Sequence, residues 1–146
     1  DNDRLVGRGG NDSIEGYAGR DTLSGGNGSD SLRGGEGNDH LLGGARRDRL
    51  FGGDGHDTLN GGRHNDILTG NGGRDTFVFQ GQRGLGNDRI KDFEVGVDLF
   101  WFDGTAFADL EFAEARRGLQ IIHSEGMVLV DNLTLSDITE DLFVTN

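Results

Sequence analysis

The chain has 146 residues, enough for one ordinary domain, but glycine occurs 28 times, proline and cysteine are absent, and only 32% of residues are hydrophobic. A thick apolar core is therefore hard to build, disulfides cannot replace it, and no apolar run approaches the roughly 18 residues of a membrane span. The net charge of −12, from 26 acidic and 14 basic residues, argues against nucleic acid as a partner, because phosphate binding needs a basic surface, and favours cations instead.

The N-terminal half of the chain repeats every nine residues. Eight nonapeptides follow one another without a gap from Gly7 to Val78, and residues 1–6 are the end of a ninth. Because Asp1 falls inside a repeat, we expect the chain to be a fragment of a longer protein. The sixth position is always aspartate: Asp3, Asp12, Asp21, Asp30, Asp39, Asp48, Asp57, Asp66 and Asp75. The eighth is always apolar: Leu5, Ile14, Leu23, Leu32, Leu41, Leu50, Leu59, Leu68 and Phe77.

Each nonapeptide predicts a glycine-rich turn of six residues followed by a strand of three, whose middle side chain points inward. Glycine allows the positive φ angles that a tight turn needs. Because so short a strand cannot stand alone, we expect successive strands on opposite sides of a coil, each unit stacked on the unit 18 residues later. The inward apolar residues then form a thin core between two sheets.

Stacking at ~4.8 Å brings the aspartates into two columns. Column 1 contains Asp3, Asp21, Asp39, Asp57 and Asp75, and column 2 contains Asp12, Asp30, Asp48 and Asp66. Carboxylates this close repel one another. Calcium suits the gaps because it takes ~6 to 8 oxygen ligands from carboxylates and carbonyls in flexible geometry, whereas magnesium needs a tighter octahedron and zinc prefers nitrogen or sulfur. The repeat therefore predicts calcium sites between stacked turns.

The units resemble the GGxGxDxUx nonapeptide of RTX (repeat-in-toxin) proteins. The resemblance covers residues 1–79 and implies an all-β fold, a right-handed parallel β-roll with two short-stranded sheets and calcium in the turns. It also implies that each ion is bound by the aspartates of two stacked turns together with backbone carbonyls. Column 1 has four gaps and column 2 has three, so we expect up to seven ions, which would nearly neutralise the net charge of −12.

In the family, the carbonyls come from positions one and three of one turn and positions two and four of the other. For the pair of Asp39 and Asp57, these are the carbonyls of Gly34, Glu36, Gly53 and Gly55. Asp88, Asp92 and Asp98 are candidates for completing a site at the end of the repeats. The remaining candidate ligands are Gly7, Gly9, Gly10, Gly16, Ala18, Gly19, Gly25, Gly26, Asn27, Gly28, Gly35, Gly37, Gly43, Gly52, Asp54, Gly61, Gly70, Gly72 and Gly73.

Some turns depart from the pattern. In column 2, Arg46 and His64 replace the fourth glycine and Arg8 the second, while in column 1 Tyr17 and Asn71 replace the second. Column 1 keeps the two cleanest neighbouring turns. We therefore expect calcium to bind more tightly between the column 1 aspartates Asp39, Asp57 and Asp75 than between the column 2 aspartates Asp30, Asp48 and Asp66.

Residues 80–146 are predicted to form a β-rich cap. GLQII and MVLV flank the turn HSEG and predict a hairpin. The segment after the repeats is similar to that of secreted serralysin-type metalloproteases, and the tail Asp141–Val144 resembles the signal read by type I secretion systems. Five aromatic residues are expected to plug the open end of the roll: Phe93, Phe100, Trp101, Phe102 and Phe107.

The resemblance implies the C-terminal calcium-binding domain of a secreted bacterial protein, which folds on calcium outside the cell and supports type I secretion of an N-terminal effector. The sequence has no HExxH motif, no GxSxG motif and no cysteine nucleophile, so we expect no enzymatic site in this chain. One alternative is a module that binds an anionic polysaccharide, as similar repeat domains of alginate epimerases do. This alternative rests on a predicted basic patch, which consists of Arg46, Arg47, Arg49, Arg63 and His64. The patch could instead replace a missing calcium ion electrostatically.

Overall fold

The computed structural model describes residues 1–80, 84–103, 105–124 and 126–144, and in these ranges it contains strands and three short 3₁₀ turns. None of the described helical segments is long and apolar enough to cross a membrane. The strands are β1 (Arg4–Gly9), β2 (Ser13–Ala18), β3 (Thr22–Asn27), β4 (Ser31–Glu36), β5 (His40–Ala45), β6 (Arg49–Asp54), β7 (Thr58–Arg63), β8 (Ile67–Gly72), β9 (Thr76–Phe79), β10 (Gly86–Ile90), β11 (Leu99–Phe102), β12 (Glu111–Ala115), β13 (Gly118–His123), β14 (Gly126–Asp131) and β15 (Phe143–Val144). The 3₁₀ turns are Phe107–Asp109, Leu135–Asp137 and Glu140–Leu142.

Alternate strands of the repeats belong to opposite sheets. Sheet 1 has the order β1-β3-β5-β7-β9-β11-β15, and sheet 2 has the order β12-β13-β14-β10-β8-β6-β4-β2. Within the repeats every pairing is parallel, and each residue pairs with the residue 18 positions later, as Leu23 does with Leu41 and Leu41 with Leu59. The structure thus confirms the predicted parallel roll with two sheets.

The core is the predicted thin layer of eighth-position side chains. These residues are fully buried from the third repeat onward, while Leu5 and Ile14 at the N-terminal end are partly buried. Each fills the space between the two sheets because the strand period of two directs it inward. The fully buried residues are Leu23, Leu32, Leu41, Leu50, Leu59, Leu68 and Phe77.

The repeat strands are six residues long rather than the predicted three. In β4, for example, Leu32 and Gly34 are both buried, and pairing resumes beyond Gly34, where Gly35 lies opposite Gly53. The first three positions of each turn therefore belong to the ladder. The extension arises because identical turns stack in register, so their backbones can pair even where glycine has low strand propensity.

The cap continues both sheets. In sheet 2, β10 lies parallel between β8 and β14, and in sheet 1, β11 lies parallel between β9 and β15. The predicted hairpin is confirmed, since β13 and β14 pair antiparallel with Ile122 opposite Met127. Glu125 in its predicted turn, and Thr145 and Asn146 after the predicted tail, lie outside the described residues. The predicted domain boundary at residue 79 stays a prediction.

Aromatic side chains close the C-terminal end of the core, as predicted. Phe93 stacks on Phe100 with ring centroids 4.1 Å apart and also contacts Phe77 of the last repeat at 5.9 Å. Phe102 stacks on Phe79 at 4.9 Å. Trp101 lies between the buried residues Phe100 and Phe102 in the strand, faces the opposite side of the sheet and is only half-buried. The rings therefore cover apolar surface that the last repeat would otherwise expose to water.

Candidate metal centre

The sixth-position aspartates lie inside the turns, in the two predicted columns. Asp3 is exposed and Asp12 partly buried at the N-terminal end. The other seven are at most 2% exposed, which is unusual for ionisable side chains without a counterion. These seven are Asp21, Asp30, Asp39, Asp48, Asp57, Asp66 and Asp75.

One carboxylate oxygen of each aspartate links two turns. Asp39 Oδ1 accepts the backbone N–H of Asp21, and Asp57 Oδ1 accepts that of Asp39, both at 2.7 Å. The same bond, at 2.7 to 2.9 Å, joins each pair of stacked aspartates along both columns. It fixes the direction of the side chain and leaves the second oxygen, Oδ2, inside the turn.

The Oδ2 atoms have no hydrogen-bond donor. Within the described parts of the chain, eight of them are buried and accept no hydrogen bond. A buried carboxylate without a partner costs several kcal/mol, and a whole domain is stable by only about 5–15 kcal/mol. The fold therefore needs positive charge at these atoms, which belong to Asp12, Asp21, Asp30, Asp39, Asp48, Asp57, Asp66 and Asp75.

Backbone carbonyls point at the same places. A methyl carbon placed on Gly43 would lie 2.5 Å from Asp48 Oδ2 and 2.5 Å from the carbonyl oxygen of Gly61 in the next turn. A carboxylate oxygen of one turn and a carbonyl oxygen of the next turn therefore both lie beside Gly43. The first position is glycine because any side chain would clash with these two oxygens. The arrangement recurs at Gly7, Gly16, Gly25, Gly34 and Gly52.

The donors are all oxygen, which fits calcium. Among the residues that the structure describes, no three His, Cys, Asp or Glu side chains come together around a common point. Two carboxylates from stacked turns must therefore be supplemented by carbonyls, as calcium allows and as zinc, which prefers nitrogen and sulfur, does not favour.

Burial makes the column aspartates weak acids. Burial and, to a smaller extent, the neighbouring carboxylates raise the pKa of Asp48 and Asp57 to about 7 and that of Asp66 to about 8, against the lowering effect of a backbone hydrogen bond. The pKa of Asp75 rises to about 6 for the same reasons, with Asp98 the nearest charge. Protons and a bound cation would therefore compete for the same oxygens near neutral pH.

Positions two and four of the repeat adopt left-handed backbone even where glycine is replaced. Arg46 and His64, at position four, have φ angles of 82° and 78°, whereas Gly28 and Gly55 at the same position have 153° and 141°. The Arg46 N–H donates to His64 Nδ1 at 3.3 Å, while Gly28 donates to a carbonyl. The backbone of column 2 is thus distorted here, which is consistent with the predicted weaker sites. The inequality itself stays a prediction.

A second ladder of side chains runs along position five and was not predicted. Asn11 Oδ1 accepts the N–H of Ser29, and Asn38 Oδ1 accepts the N–H of His56, both at 2.9 Å. His56 Nδ1 in turn accepts the N–H of Arg74 at 2.9 Å. The recurrence of asparagine or histidine before the aspartate was the available signal. These bonds hold turns together without a cation.

Two of the three candidate ligands after the repeats lie at the end of column 1. Asp98 Oδ1 accepts the N–H of Asp75 at 2.9 Å and so continues the column. Asp92 accepts the N–H groups of Gly70 and Asn71 through both of its oxygens, at 3.0 and 2.8 Å. The third candidate, Asp88, continues column 2 through the same kind of bond as Asp98.

The structure divides the predicted basic patch. Arg46, Arg47 and His64 line one open groove together with Ser29 and Asn65. The other two arginines lie on strands of different sheets, Arg49 on β6 and Arg63 on β7, outside this groove. Three of the five predicted residues therefore come together.

Comparisons with known proteins agree with this geometry. A family model described as RTX calcium-binding nonapeptide repeat (4 copies) matches residues 1–32, 15–45 and 42–77. The extracellular lipase LipA from Serratia marcescens has a similar structure, with a TM-score of 0.51 and 19% identity over 98% of this chain and 40% of the lipase. The AlgE6R3 subunit of the mannuronan C5-epimerase from Azotobacter vinelandii has a TM-score of 0.54 and 24% identity over 94% of this chain and 80% of that subunit.

These two likenesses show a shared fold. The chain spans less than half of the lipase. No curated protein matches the sequence significantly.

Proposed function

The chain belongs to the RTX calcium-binding nonapeptide repeat family, and on this basis we propose that it is the calcium-dependent folding domain of a secreted bacterial protein. The observation that carries the proposal is the set of eight buried Oδ2 atoms that accept no hydrogen bond from the described part of the chain. Calcium would supply the missing positive charge and join oxygens of two turns at each gap. Up to seven ions in the repeats would nearly balance the net charge of −12.

The ligands of one site can be proposed from the middle of column 1. Asp39 and Asp57 supply carboxylates, with carbonyls from Gly34, Glu36, Gly53 and Gly55. The Gly52 carbonyl is a further candidate, because it lies 2.5 Å from a methyl carbon placed on Gly34, next to Asp39 Oδ2. The glycine at position one leaves space for the ion, and the bond to Oδ1 holds each carboxylate in place.

The buried columns make folding depend on the calcium concentration. Inside the cell, free calcium is too scarce for weak sites, so repulsion and desolvation of the carboxylates keep the chain unfolded. Outside, calcium reaches the ~10⁻⁴ to 10⁻³ M range in which extracellular modules bind, and ion capture and folding then become one event. An unfolded chain can pass through a narrow export channel, and folding outside makes the export one-way.

The C-terminal tail fits this order of events. Leu142 is 2% exposed and Phe143 8% exposed. Phe143 lies in β15, which pairs with β11, and its ring stacks on Phe100 at 5.2 Å. A secretion apparatus that reads Leu142 and Phe143 would therefore find them accessible only before the domain folds, although Val144 stays exposed.

Far-UV circular dichroism during a calcium titration tests the folding switch. We expect a cooperative gain of β signal with calcium and little gain with magnesium at the same concentrations. A chain that already has its full β signal in chelator would overturn the proposal.

A second candidate function is binding of an anionic polysaccharide. The observation that favours it is the groove in which Arg46, Arg47 and His64 meet. Calorimetry with alginate at low salt would test it, comparing Arg47→Gln with the control Arg20→Gln, an exposed arginine in a column 1 turn. Binding that is lost in Arg47→Gln alone would support this function, and no binding by the wild type would remove it.

A further inference from the structure

The segment that begins the cap reproduces a repeat turn outside the nine-residue spacing. Asp88 is 3% exposed, and its Oδ1 accepts the N–H of Asp66 at 2.8 Å, the bond that links stacked aspartates throughout the repeats. Asp88 follows Asp66 by 22 residues rather than 18. The family match ends at residue 77, so neither the sequence period nor the family assigns a role to this residue.

Neighbouring bonds give the segment the same register as a repeat. The Asn87 N–H donates to Asn65 Oδ1 at 3.0 Å, which continues the position-five ladder. The Arg89 N–H donates to the Asp66 carbonyl at 2.9 Å, as Thr76 does to Asp57. Gly86 has a φ of 88°, and a side chain there would clash with the His64 carbonyl. Asp88 thus occupies position six of a further turn.

The facing aspartate has the property that marks the repeat sites. Asp66 is 2% exposed, and its Oδ2 is buried and accepts no hydrogen bond from the described residues. Burial, with the nearby charge of Asp88, raises the pKa of Asp66 to about 8. Burial also raises the pKa of Asp88 to about 7. Two buried acids therefore face one gap, and among the described residues no cationic side chain donates a hydrogen bond to either.

The end of column 1 is built differently. There Asp98 accepts the N–H of Asp75 through Oδ1 and that of Glu94 through Oδ2, both at 2.9 Å, so both oxygens have donors. Among the described residues, the hydrogen bond to Asp88 goes to Oδ1. Hydrogen bonds thus satisfy both oxygens of the last carboxylate of column 1.

We propose that Asp66 and Asp88 hold an additional calcium ion that joins the last repeat of column 2 to the cap. By the rule used for the repeats, the carbonyls of Gly61 and Arg63 from the repeat turn and of Gly84 and Gly86 from the cap would complete the site. The inference rests on the proposed calcium function. Because β10 also pairs with β14, the ion would couple docking of the β13–β14 hairpin to calcium.

Equilibrium dialysis with radioactive calcium tests the site. Asp88→Asn keeps the Oδ1 acceptor for the Asp66 amide and removes the charge. Asp109→Asn is the matched control, since Asp109 is an exposed carboxylate of the cap. We expect Asp88→Asn to bind one calcium ion fewer per chain and the control to bind as many as the wild type. Equal numbers in all three proteins would overturn the inference.

A crystal of the wild-type protein grown in calcium keeps the inference testable if Asp88→Asn fails to fold. Anomalous diffraction should show a peak between Asp66 and Asp88. Peaks between the repeat turns with none at this gap would overturn this inference and leave the proposed function intact. A wild-type chain that folds without any bound calcium would overturn both.

Discussion

Replacing Gly43 by alanine should remove one calcium ion without changing any charge. The added methyl carbon would lie 2.5 Å from Asp48 Oδ2 and 2.5 Å from the Gly61 carbonyl oxygen, so both oxygens would have to move away from positions in which they could bind the ion between these two turns. Gly43 does not have a left-handed backbone, so the substitution acts through the occupied space and not through φ.

The expected loss of stability has two parts, one from the lost ion and one from crowding by the added methyl group. With a Kd of ~0.1–1 mM and calcium at ~10 mM, one bound ion stabilises the folded chain by about 1.4–2.7 kcal/mol. Overpacking a filled site costs about 1–3 kcal/mol more. Only the first part depends on calcium. The stability difference between Gly43→Ala and the wild type should therefore widen as calcium is raised.

Urea unfolding at several calcium concentrations measures both parts. Gly9→Ala is the matched control, because Gly9 lies in a turn of the same column and the nearest atom to an added methyl carbon is 3.7 Å away. We expect the control to stay within about 0.5 kcal/mol of the wild type. A Gly43→Ala chain with the wild-type dependence on calcium would refute the placement of the ion.

Three further predictions concern the backbone, the proton and the cap. The double substitution Arg46→Gly and His64→Gly should stabilise the calcium-bound chain by about 0.5–1 kcal/mol per site in thermal unfolding. The strain energy relieved in the left-handed backbone exceeds the free energy of the extra conformational entropy that glycine gives the unfolded chain. A loss of stability would contradict this. In chelator, β structure should increase as the pH falls from 8 to 5, because the folded state, with pKa values of about 6 to 8, binds protons that the unfolded state does not yet bind. In calcium, the same protonation should raise the calcium midpoint as the pH falls below about 7, and a midpoint that does not move would refute the competition. Asp131→Asn removes the negative charge and can keep only one of the two bonds of 2.9 and 2.6 Å from Arg89. It should cost about 1 kcal/mol in urea unfolding with an unchanged number of bound ions, and unchanged stability would show that this partly exposed pair contributes nothing.

The repeats could be predicted in detail because each structural requirement recurs at one position. The inward residues, such as Leu41 and Leu59, and the aspartates, such as Asp39 and Asp57, obey one spacing, and stacking by 18 residues follows from it. The length of the strands could not be predicted, because glycines pair here through register with identical turns rather than through their own propensity.

The cap was predicted only in part, because insertions break the spacing. The hairpin could be recognised from its local alternation, and the aromatic plug could be recognised from its composition. Asp88 and Asp98 follow their partners by 22 and 23 residues, and a fixed period cannot find them. The segment GNDRI (86–90) does repeat GNDSI (10–14) almost unchanged, and that similarity was the signal that could have assigned the candidate Asp88 to column 2.

Spacing also could not show how the basic residues are distributed. Arg46 and His64 stack because they are 18 residues apart, and both line the groove. Arg49 and Arg63 are close to them in the sequence. However, Arg49 lies on β6 and Arg63 on β7, and these two strands belong to different sheets. Proximity along a roll depends on the position within the repeat more than on sequence distance.

Native mass spectrometry tests the central claim most directly, because it reports the compactness and the number of bound calcium ions of each molecule together. The account predicts compact molecules that carry several calcium ions and extended molecules that carry few or none, with the compact population growing as calcium is added. Compact molecules without calcium at neutral pH would contradict it, since the buried aspartate columns would then be stable without a counterion.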